Sequence, residues 1–455
     1  MQQDLELFNQ LATALLLQEE TQPVATPIKP SRLYETIDLS LNDEPSLDED
    51  FKKNLSELIK STPKTATKSF FNQLFGGRMG RATLGDLLAV MLNNSMYTYK
   101  VAGPQVGVEK VILRKVCDLI GYGEKSDGTF APGGSMSNYM AALMARDVHD
   151  PSARRGGVSQ KMTLYTSDTS HYSLTKNASL IGVGRDQVRL VKTNESGQMS
   201  AKHLDTLIKD DLQQGNLPFF VNATAGTTVL GAFDDVEGIS KVTKKHGLWL
   251  HLDGAYCGSV IFSKKHKHLV KGIEHTDSFS VNAHKMLGTP LSCSIIVTQD
   301  KERLKHSFSN DAEYLYQTDS DDFNLGKTSI QCGRRNDALK LWTLWKSIGS
   351  VGLEALVDHQ FKLAEVARDY INKHPDYTLY SFDDSISVCF NYRDVSAKKL
   401  CTGLYKSSQL MVGFGSFRED EFVRMVTINS MLEKADILNF FQTLEDYVES
   451  TYHSA

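Results

Sequence analysis

Lys285 and Asp253 are the two residues of this 455-residue chain whose types and spacing could do chemistry together. Lys285 ends the run NAHK, and Asp253 lies about thirty residues earlier in the run HLDGAYCGS. A lysine amine can form an imine with an aldehyde cofactor, and a carboxylate can keep the ring nitrogen of that cofactor protonated. Both are requirements of pyridoxal-phosphate chemistry. Because surface lysines are common, Lys285 alone would indicate only a solvated charge, and the hypothesis depends on the neighbouring motifs.

A glycine pair in the segment APGGSMSNYMAALMAR could supply a phosphate site. Gly133 and Gly134 stand with Ser135 directly before residues whose apolar positions recur with the 3-4 spacing of a helix. Glycines let the backbone approach a phosphate closely, and the N-terminus of a helix favours an anion. Such a pair is usually only a turn, so its significance comes from the lysine and aspartate that follow.

The elements that must position these residues follow a βαβ pattern from residue 121 to about residue 297. In the clearest unit, an apolar strand at 218–224 precedes a helix capped by Asp234 or Asp235. A second strand then follows at 248–253. The pattern predicts an α/β fold with a mostly parallel sheet, in which ligands bind along the carboxyl ends of the strands.

The organisation predicted for the chain has three parts. Residues 1–65 combine an amphipathic helix, whose apolar stripe a second subunit could cover, with a proline-containing extended arm. Residues 66–340 form a cofactor-binding large domain. Residues 341–455, which mix helices with strands at 387–392 and 422–429, form a smaller α+β domain.

Composition excludes several classes of protein. The net charge of −5 is small, and basic residues are not clustered with aromatic ones as in a nucleic-acid groove. The six cysteines contain no CxxC pair, so we expect neither a metal site nor a disulfide framework. No segment approaches eighteen uninterrupted apolar residues. We therefore expect no nucleic-acid or membrane partner and a cytoplasmic location.

Seven motifs together resemble the group II pyridoxal-phosphate decarboxylases, in the branch that acts on glutamate, cysteine sulfinate and aspartate. They are FFNQLFGG, APGGSMSN, NATAGTTVLGAFDD, HLDGAYCGS, NAHKMLGTPLSCS, QCGRR and FVRMVTIN. The resemblance runs from about Ser69 to the C-terminus. It implies a fold-type-I enzyme, pyridoxal 5'-phosphate as the cofactor, and a homodimer whose active sites are shared between subunits.

The resemblance implies four catalytic residues. Lys285 would form the Schiff base, Asp253 would pair with the pyridine nitrogen, and His171 would stack on the outer face of the ring. Tyr314, in DAEYLYQ, would belong to a loop that closes over the site and would protonate the product. On spacing alone, His171 caps a helix or fills the core, and Tyr314 packs under its loop. The implied cofactor-binding residues are Gly134, Ser135, His171, Thr228, Asp253, Ala255, Asn282, His284 and Lys285.

Arg424, in the apolar strand FVRMVTIN, indicates the substrate class. A charge within a strand is costly unless paired, either by a carboxylate ligand or by an internal Asp or Glu. The resemblance implies that Arg424 and Gln73 bind an acidic substrate, and that Phe75 and Ser95 match enzymes acting on short acids. We predict α-decarboxylation of aspartate to β-alanine or of cysteine sulfinate to hypotaurine. Glutamate decarboxylation to γ-aminobutyrate is the alternative, since one methylene changes discrimination by only about 1 to 3 kcal/mol.

Two other functions compete with decarboxylation. An aldehyde-forming oxidase or a carbon-carbon lyase could use the same scaffold, but the presence of Tyr314 favours decarboxylation. A catalytically inactive binding protein would be expected to lack Lys285, Asp253 or His171, and all three are present. Ala283 and Tyr256 depart from the family pattern, which has a proline and a tryptophan there, and these departures affect the expected substrate more than the cofactor.

Overall fold

The computed structural model describes residues 1–310 and 321–452, which belong to two compact units. The larger unit comprises Arg78–Ala364 and Phe382–Ser387, and the smaller comprises Met1–Gly77, Glu365–Ser381 and Val388–Ala455. No helix within the described ranges is both long enough and apolar enough to cross a membrane.

Strands and helices are numbered here along the chain. The strands are β1 (Phe70–Phe71), β2 (Asp127–Ala131), β3 (Met162–Ser167), β4 (Val188–Val191), β5 (Leu217–Thr224), β6 (Trp249–Gly254), β7 (Ser278–Asn282), β8 (Ser294–Thr298), β9 (Tyr377–Leu379), β10 (Ser387–Tyr392), β11 (Met411–Phe417) and β12 (Asp420–Val426). The helices are α1 (Gln2–Thr21), α2 (Leu33–Thr36), α3 (Asp48–Ser61), α4 (Gly80–Leu92), α5 (Tyr99–Ala102), α6 (Gln105–Ile120), α7 (Gly134–His149), α8 (Ala153–Gly156), α9 (Ser173–Leu180), α10 (Ala201–Gln213), α11 (Val236–His246), α12 (Lys301–Phe308), α13 (Ala338–Lys373), α14 (Ala397–Lys406) and α15 (Lys434–Tyr452).

The larger unit is built on a seven-stranded sheet with the order β2-β8-β7-β6-β5-β3-β4. Neighbouring strands from β7 to β4 are parallel, whereas β8 is antiparallel to both β7 and β2. Strands β3, β6, β7 and β8 are buried along their whole length, as expected for a sheet covered on both faces. This arrangement confirms the predicted fold-type-I α/β class.

The βαβ unit predicted from the sequence is present as β5, α11 and β6. Asp235 is the helix cap, because its Oδ1 accepts a hydrogen bond from the Gly238 N–H at 3.0 Å. The helix ends at Gly247, which adopts the left-handed conformation with φ +69°. Parallel pairing then aligns Thr224 with Asp253 at the carboxyl ends of the two strands.

Helix α7 is anchored on the sheet by its apolar face. Met140 and Met144 lie four residues apart on one side of the helix and are fully buried in a cluster that includes Phe219 and Phe220 of β5. Burial of each such side chain contributes roughly 1.5 to 3 kcal/mol. This packing holds the helix N-terminus, which begins at Gly134, in a fixed position.

The smaller unit contains a five-stranded sheet with the order β1-β11-β12-β10-β9. Strands β11 and β12 form an antiparallel hairpin in which Gly413 is opposite Arg424. Helix α15 buries Phe440, whose ring lies 4.8 Å from that of Phe71 in β1, measured between centroids. Helices packed against this sheet confirm the predicted smaller α+β part of the fold.

Candidate active site

A cavity of about 190 Å³ opens at the carboxyl ends of β5, β6 and β7 in the larger unit. Parallel strands present these ends at one edge of a sheet, where ligands of α/β proteins bind. The cavity is lined by Gly134, Ser135, Asn138, His171, Thr224, Gly226, Thr228, Asp253, Ala255, Tyr256, Asn282 and Lys285.

Lys285 is placed in the cavity by the turn that follows β7. Its backbone N–H donates to the carbonyl of Asn282, the last residue of the strand, at 3.1 Å. The Lys285 Nζ lies 6.0 Å from the centre of the Tyr256 ring, on the loop after β6. The amine is therefore held at the same edge of the sheet as the Asp253 carboxylate.

Asp253 is a buried carboxylate held by two hydrogen bonds. Asn138 Nδ2 donates to Oδ2 at 2.7 Å, and the Ala255 backbone N–H donates to Oδ1 at 3.0 Å. The residue is only 5% exposed, and both donors are neutral groups. A buried carboxylate loses solvation that a nearby cation restores, so Asp253 would stabilise a protonated ring nitrogen in the cavity.

His171 lies between β3 and α9, and its hydrogen bonds determine its tautomer. The Ser173 backbone N–H is 3.2 Å from Nδ1 and can only donate, so Nδ1 carries no proton. Burial lowers the pKa of His171; the Asp253 carboxylate opposes this effect and the Lys285 charge reinforces it. The imidazole is therefore neutral near pH 7, with its proton on Nε2, which leaves a flat uncharged ring at the cavity wall.

The N-terminus of α7 forms a site suited to an anion. A Cβ atom added at Gly134 would lie 2.9 Å from Asn282 Nδ2 and 3.1 Å from the Ala255 Cβ, so a side chain here would crowd both residues and glycine gives the closest approach. The first N–H groups of a helix have no acceptor within the helix and carry its positive end. With the Ser135 hydroxyl, they can hold a phosphate in the cavity.

These residues fit pyridoxal phosphate. Lys285 offers an amine for the aldehyde, Asp253 an anion for the ring nitrogen, and His171 a neutral ring for stacking. The glycine-lined N-terminus of α7 matches the phosphate. The four requirements of the cofactor are thus present around one cavity.

Most of the predicted cofactor-binding residues line this cavity, and His284 is the one that does not. The side chain of His284 is buried, and its Nδ1 accepts the Cys293 backbone N–H at 2.9 Å. Burial, reinforced by the Lys285 charge, lowers the pKa of His284 to about 4. The structure therefore places a neutral His284 beside the Lys285 turn.

The predicted substrate-binding residues are placed as follows. Ser95, in the larger unit, lies with its Oγ 3.3 Å from the Cys332 carbonyl. Arg424, in the smaller unit, is partly buried and donates through Nη2 to the Asn72 carbonyl at 2.7 Å. In the same unit Gln73 is exposed, and the ring of Phe75 is 6.1 Å from that of Phe70. Tyr314 lies outside the described residues.

Sequence reasoning missed several residues that line the cavity, of which Asn138 has the clearest role. Asn138 lies four residues after Gly134, and this spacing places both on one face of the helix. The spacing was therefore a usable signal. The others are Thr224 and Gly226, whereas Tyr256, one of the departures from the family pattern, also lines the cavity.

Comparison with known proteins agrees with this geometry. Residues 30–393 match the family described as "Pyridoxal-dependent decarboxylase conserved domain". The chain is 36% identical to the human cysteine sulfinic acid decarboxylase over 93% of its own length and 91% of the relative's. It is also 36% identical to the mouse acidic amino acid decarboxylase GADL1, over 90% of this chain and 78% of that one.

A solved structure shows the same fold. The crystal structure of mouse CSAD superposes with a TM-score of 0.92 and 34% identity, over 98% of this chain and 99% of that one. The predicted decarboxylase class and the predicted cofactor are thereby confirmed. The chain belongs to the pyridoxal-dependent decarboxylase family, in the branch of the cysteine sulfinate and acidic amino acid decarboxylases, and is an amino acid decarboxylase that uses pyridoxal phosphate.

Proposed function

We propose that this enzyme removes the α-carboxylate of a short acidic L-amino acid, either cysteine sulfinate or aspartate. The observation that carries the proposal is the arrangement of Lys285, Asp253 and His171 around one cavity. The names of the relatives, one of which is a cysteine sulfinic acid decarboxylase and another an acidic amino acid decarboxylase, support the substrate class.

The roles proposed for the residues follow from their chemistry. Pyridoxal phosphate, when bound, supplies an aldehyde for the substrate amine and a ring that accepts the electron pair left by carbon dioxide. The Lys285 amine would hold the cofactor in the absence of substrate. Asp253, fixed by Asn138 and the Ala255 N–H, keeps a proton on the ring nitrogen. Because this proton stabilises developing negative charge, Asp253 acts most strongly in the transition state.

His171 orients the reacting groups and excludes water from one side of the cavity. Its ring is held by two contacts with Ser173, to the backbone N–H at 3.2 Å and to Oγ at 2.8 Å. A neutral ring fixed in this way can stack without adding a positive charge that would compete with the ring nitrogen. The resemblance to the family also supports Tyr314 as the proton donor to the product, and this role stays a prediction.

Arg424 is the residue we propose to bind the side-chain acid of the substrate, with Gln73 beside it. A guanidinium matches planar or tetrahedral acids through paired hydrogen bonds, and lysine cannot reproduce this geometry. The aromatic Phe75 and the small Ser95 match the positions that favour a short substrate in the resemblance. The shorter acids are therefore preferred over glutamate in this proposal.

We also propose that the chain acts as a homodimer, to which residues 1–65 contribute contacts. Helix α1 buries none of its residues within one chain, and several of its large apolar side chains are exposed. A cluster of exposed apolar side chains on one element is typical of a contact surface for another protein chain. The exposed side chains are Leu5 at 42%, Phe8 at 45%, Leu16 at 55% and Leu17 at 61%.

The proposed substrate is tested by offering cofactor-loaded enzyme equal concentrations of five amino acids and measuring each amine. These are cysteine sulfinate, aspartate, glutamate, 2,4-diaminobutyrate and phenylalanine. We expect hypotaurine or β-alanine to dominate, and Arg424→Ala to lose most of that product while Arg418→Ala, at an exposed arginine of the β11–β12 turn, does not. Dominant γ-aminobutyrate would overturn the short-acid preference, and turnover of only the last two substrates would overturn the role of Arg424.

A further inference from the structure

A continuous network of buried hydrogen bonds lies beneath the cavity, and Asn138 is the residue that connects its branches. Its members come from α7, from β6 and β7, and from the first turn of α9. Trp249, His251 and Asp253 are alternate residues of β6 and therefore point to the same face of the sheet. Asn138 is 1% exposed and His251 is fully buried, so water does not replace these contacts.

Asn138 uses both of its N–H protons toward the active site. One Nδ2 proton is donated to Asp253 Oδ2 at 2.7 Å, and the other to Ser173 Oγ at 3.2 Å. Because Ser173 Oγ accepts this bond, its own proton is available for His171 Nδ1 at 2.8 Å. One amide group therefore contacts the Asp253 carboxylate directly and the His171 ring through a single hydroxyl.

The orientation of the Asn138 amide is set from the other side by His251. Asn138 Oδ1 is a carbonyl oxygen that can only accept, so His251 Nε2, at 3.1 Å, must carry the proton. His251 Nδ1 then accepts from Ser278 Oγ at 2.8 Å. Ser278 Oγ in turn accepts the Trp249 indole N–H at 2.9 Å, which directs the serine proton toward His251.

We propose that Asn138 is a positioning residue that couples the Asp253 carboxylate to the His171 ring, and that His251 fixes the direction in which the Asn138 amide points. The inference rests on the proposed roles of Asp253 and His171. The hydrogen bonds have one consistent set of donors: Trp249 donates to Ser278, Ser278 to His251, and His251 to Asn138. A flipped amide would place its oxygen against the Asp253 carboxylate and leave two donors facing each other at His251.

The surroundings of His251 keep its imidazole neutral, and a neutral imidazole fixes the orientation of the Asn138 amide. Burial lowers the pKa of His251 to about 4, and the Asp253 charge and a hydrogen bond with the Ser278 backbone oppose this only in part. The ring of Phe220 is stacked at 6.1 Å between centroids and adds no charge. A neutral imidazole presents one donor and one acceptor, which is what Asn138 and Ser278 require.

The first test observes the histidine protons of the wild-type enzyme directly. In the cofactor-loaded wild-type enzyme with ¹⁵N-labelled histidine, we expect the His251 signal to show the neutral Nε2–H tautomer from about pH 6 to pH 8, and the His171 signal to show it at about pH 8. The signals are assigned by their loss in His251→Gln and His171→Gln. An Nδ1–H tautomer at His251 would overturn the proposal, because the Asn138 carbonyl would then face no proton.

The second test removes the coupling and measures cofactor binding. Asn138→Leu removes all three hydrogen bonds, and Asn138→Asp keeps the acceptor but replaces the donor with a charge that repels Asp253. We expect both to raise the dissociation constant of pyridoxal phosphate by about tenfold or more. At saturating cofactor, we expect both to change the circular dichroism of the bound cofactor, which reports ring orientation. Ser137→Ala, a buried hydroxyl on the adjacent residue, is the control and should behave like wild type.

A matched pair at His251 keeps the inference testable if the Asn138 variants fail to fold. Glutamine can place an N–H near the position of Nε2, whereas leucine cannot, so His251→Gln should retain cofactor affinity that His251→Leu loses. Equal affinity and equal dichroism in the Gln and Leu variants would contradict the proposal. Failure of the wild type to bind cofactor would contradict the proposed function instead, so the two failures are distinguishable.

Discussion

The carboxylate of Asp253 accepts one hydrogen bond on each of its two oxygens. The Ala255 N–H and the Asn138 N–H both donate, so an amide at this position would bring its NH₂ group against a donor. We expect Asp253→Asn to lower kcat by roughly 10²- to 10³-fold, since it removes the charge that stabilises the transition state. Steady-state amine formation with saturating cofactor measures the effect.

Asp43→Asn is the matched control for this substitution, because Asp43 is exposed and the change in charge is identical. It should leave kcat within about twofold, as surface substitutions usually do. If Asp253→Asn retained wild-type turnover, the carboxylate would not hold the proton of the ring nitrogen, and the mechanism proposed here would be wrong.

At the residue scale, the sequence indicated candidate residues by their type and order along the chain. It could not indicate which side chains form hydrogen bonds with each other in the fold. Lys285 and Asp253 were identifiable because their types and order are unusual together. The bond between Asn138 and Asp253 joins residues 115 positions apart, and no local pattern specifies such a contact. The same applies to His251, whose tautomer follows only from its neighbours in space.

Helix α7 begins at Gly134, which lies close to Ala255 on the loop after β6. Because glycine has no side chain, the N-terminus of the helix can approach this loop and the phosphate site beside it. We expect Gly134→Ala to weaken pyridoxal phosphate binding by about tenfold, since the new methyl group would displace the helix N-terminus from Asn282 and Ala255. Equilibrium binding of the cofactor to the apoenzyme measures this change.

Gly107→Ala provides the comparison within a helix, as an added Cβ there meets no atom within 4 Å. It should bind the cofactor like wild type and be slightly more stable, because alanine favours helix more than glycine. Unchanged cofactor affinity in Gly134→Ala would show that the phosphate does not depend on this close approach.

At the element scale, apolar runs located the buried strands well. The strand predicted at 218–224 is observed as β5, one residue longer, and β10 agrees with the prediction at both ends. The strand predicted at 422–429 is instead Asp420–Val426, because its hairpin pairing with β11 draws polar residues into the sheet. Helix α13 is interrupted at Gly349, where φ is +67°. Tertiary pairing and a glycine conformation decided these boundaries.

Buried histidines make the stability of the molecule depend on pH. Burial lowers the pKa of His251 and of His284 from the usual 6.5 to about 4. Between these values the unfolded chain binds more protons than the folded one, so stability present above about pH 6.5 is lost as pH falls. Asp234, whose pKa burial raises to about 7, acts in the opposite direction and offsets one of the two histidines.

The contribution of His251 can be separated by substitution. We expect the difference in unfolding free energy between wild type and His251→Gln to fall by about 1.4 kcal/mol per pH unit from about pH 6.5 to pH 4. Urea unfolding across this range measures it. A constant difference for His251→Gln would mean that this histidine takes up its proton at the same pH in the folded and unfolded states, which would contradict the effect of burial on its pKa.

The apolar surface of α1 bears on whether two chains assemble into the proposed dimer. We expect Leu16→Asp combined with Leu17→Asp to weaken the proposed dimer, because each charge would have to be buried in the contact. Light scattering over a dilution series should show dissociation at higher concentration than in wild type. Thr13→Asp, also exposed on α1, indicates the effect of charge alone. A wild-type protein that stays monomeric at every concentration would contradict the dimer.

The central claim is that the Lys285 cavity decarboxylates a short acidic amino acid without oxidising it. The most direct measurement follows carbon dioxide, hypotaurine and the corresponding aldehyde together, as cofactor-loaded enzyme turns over cysteine sulfinate. We predict equal amounts of carbon dioxide and hypotaurine from wild type, no aldehyde, and no product from Lys285→Ala. Aldehyde in place of the amine would assign the cavity to oxidative chemistry, and undiminished turnover by Lys285→Ala would place the reaction elsewhere.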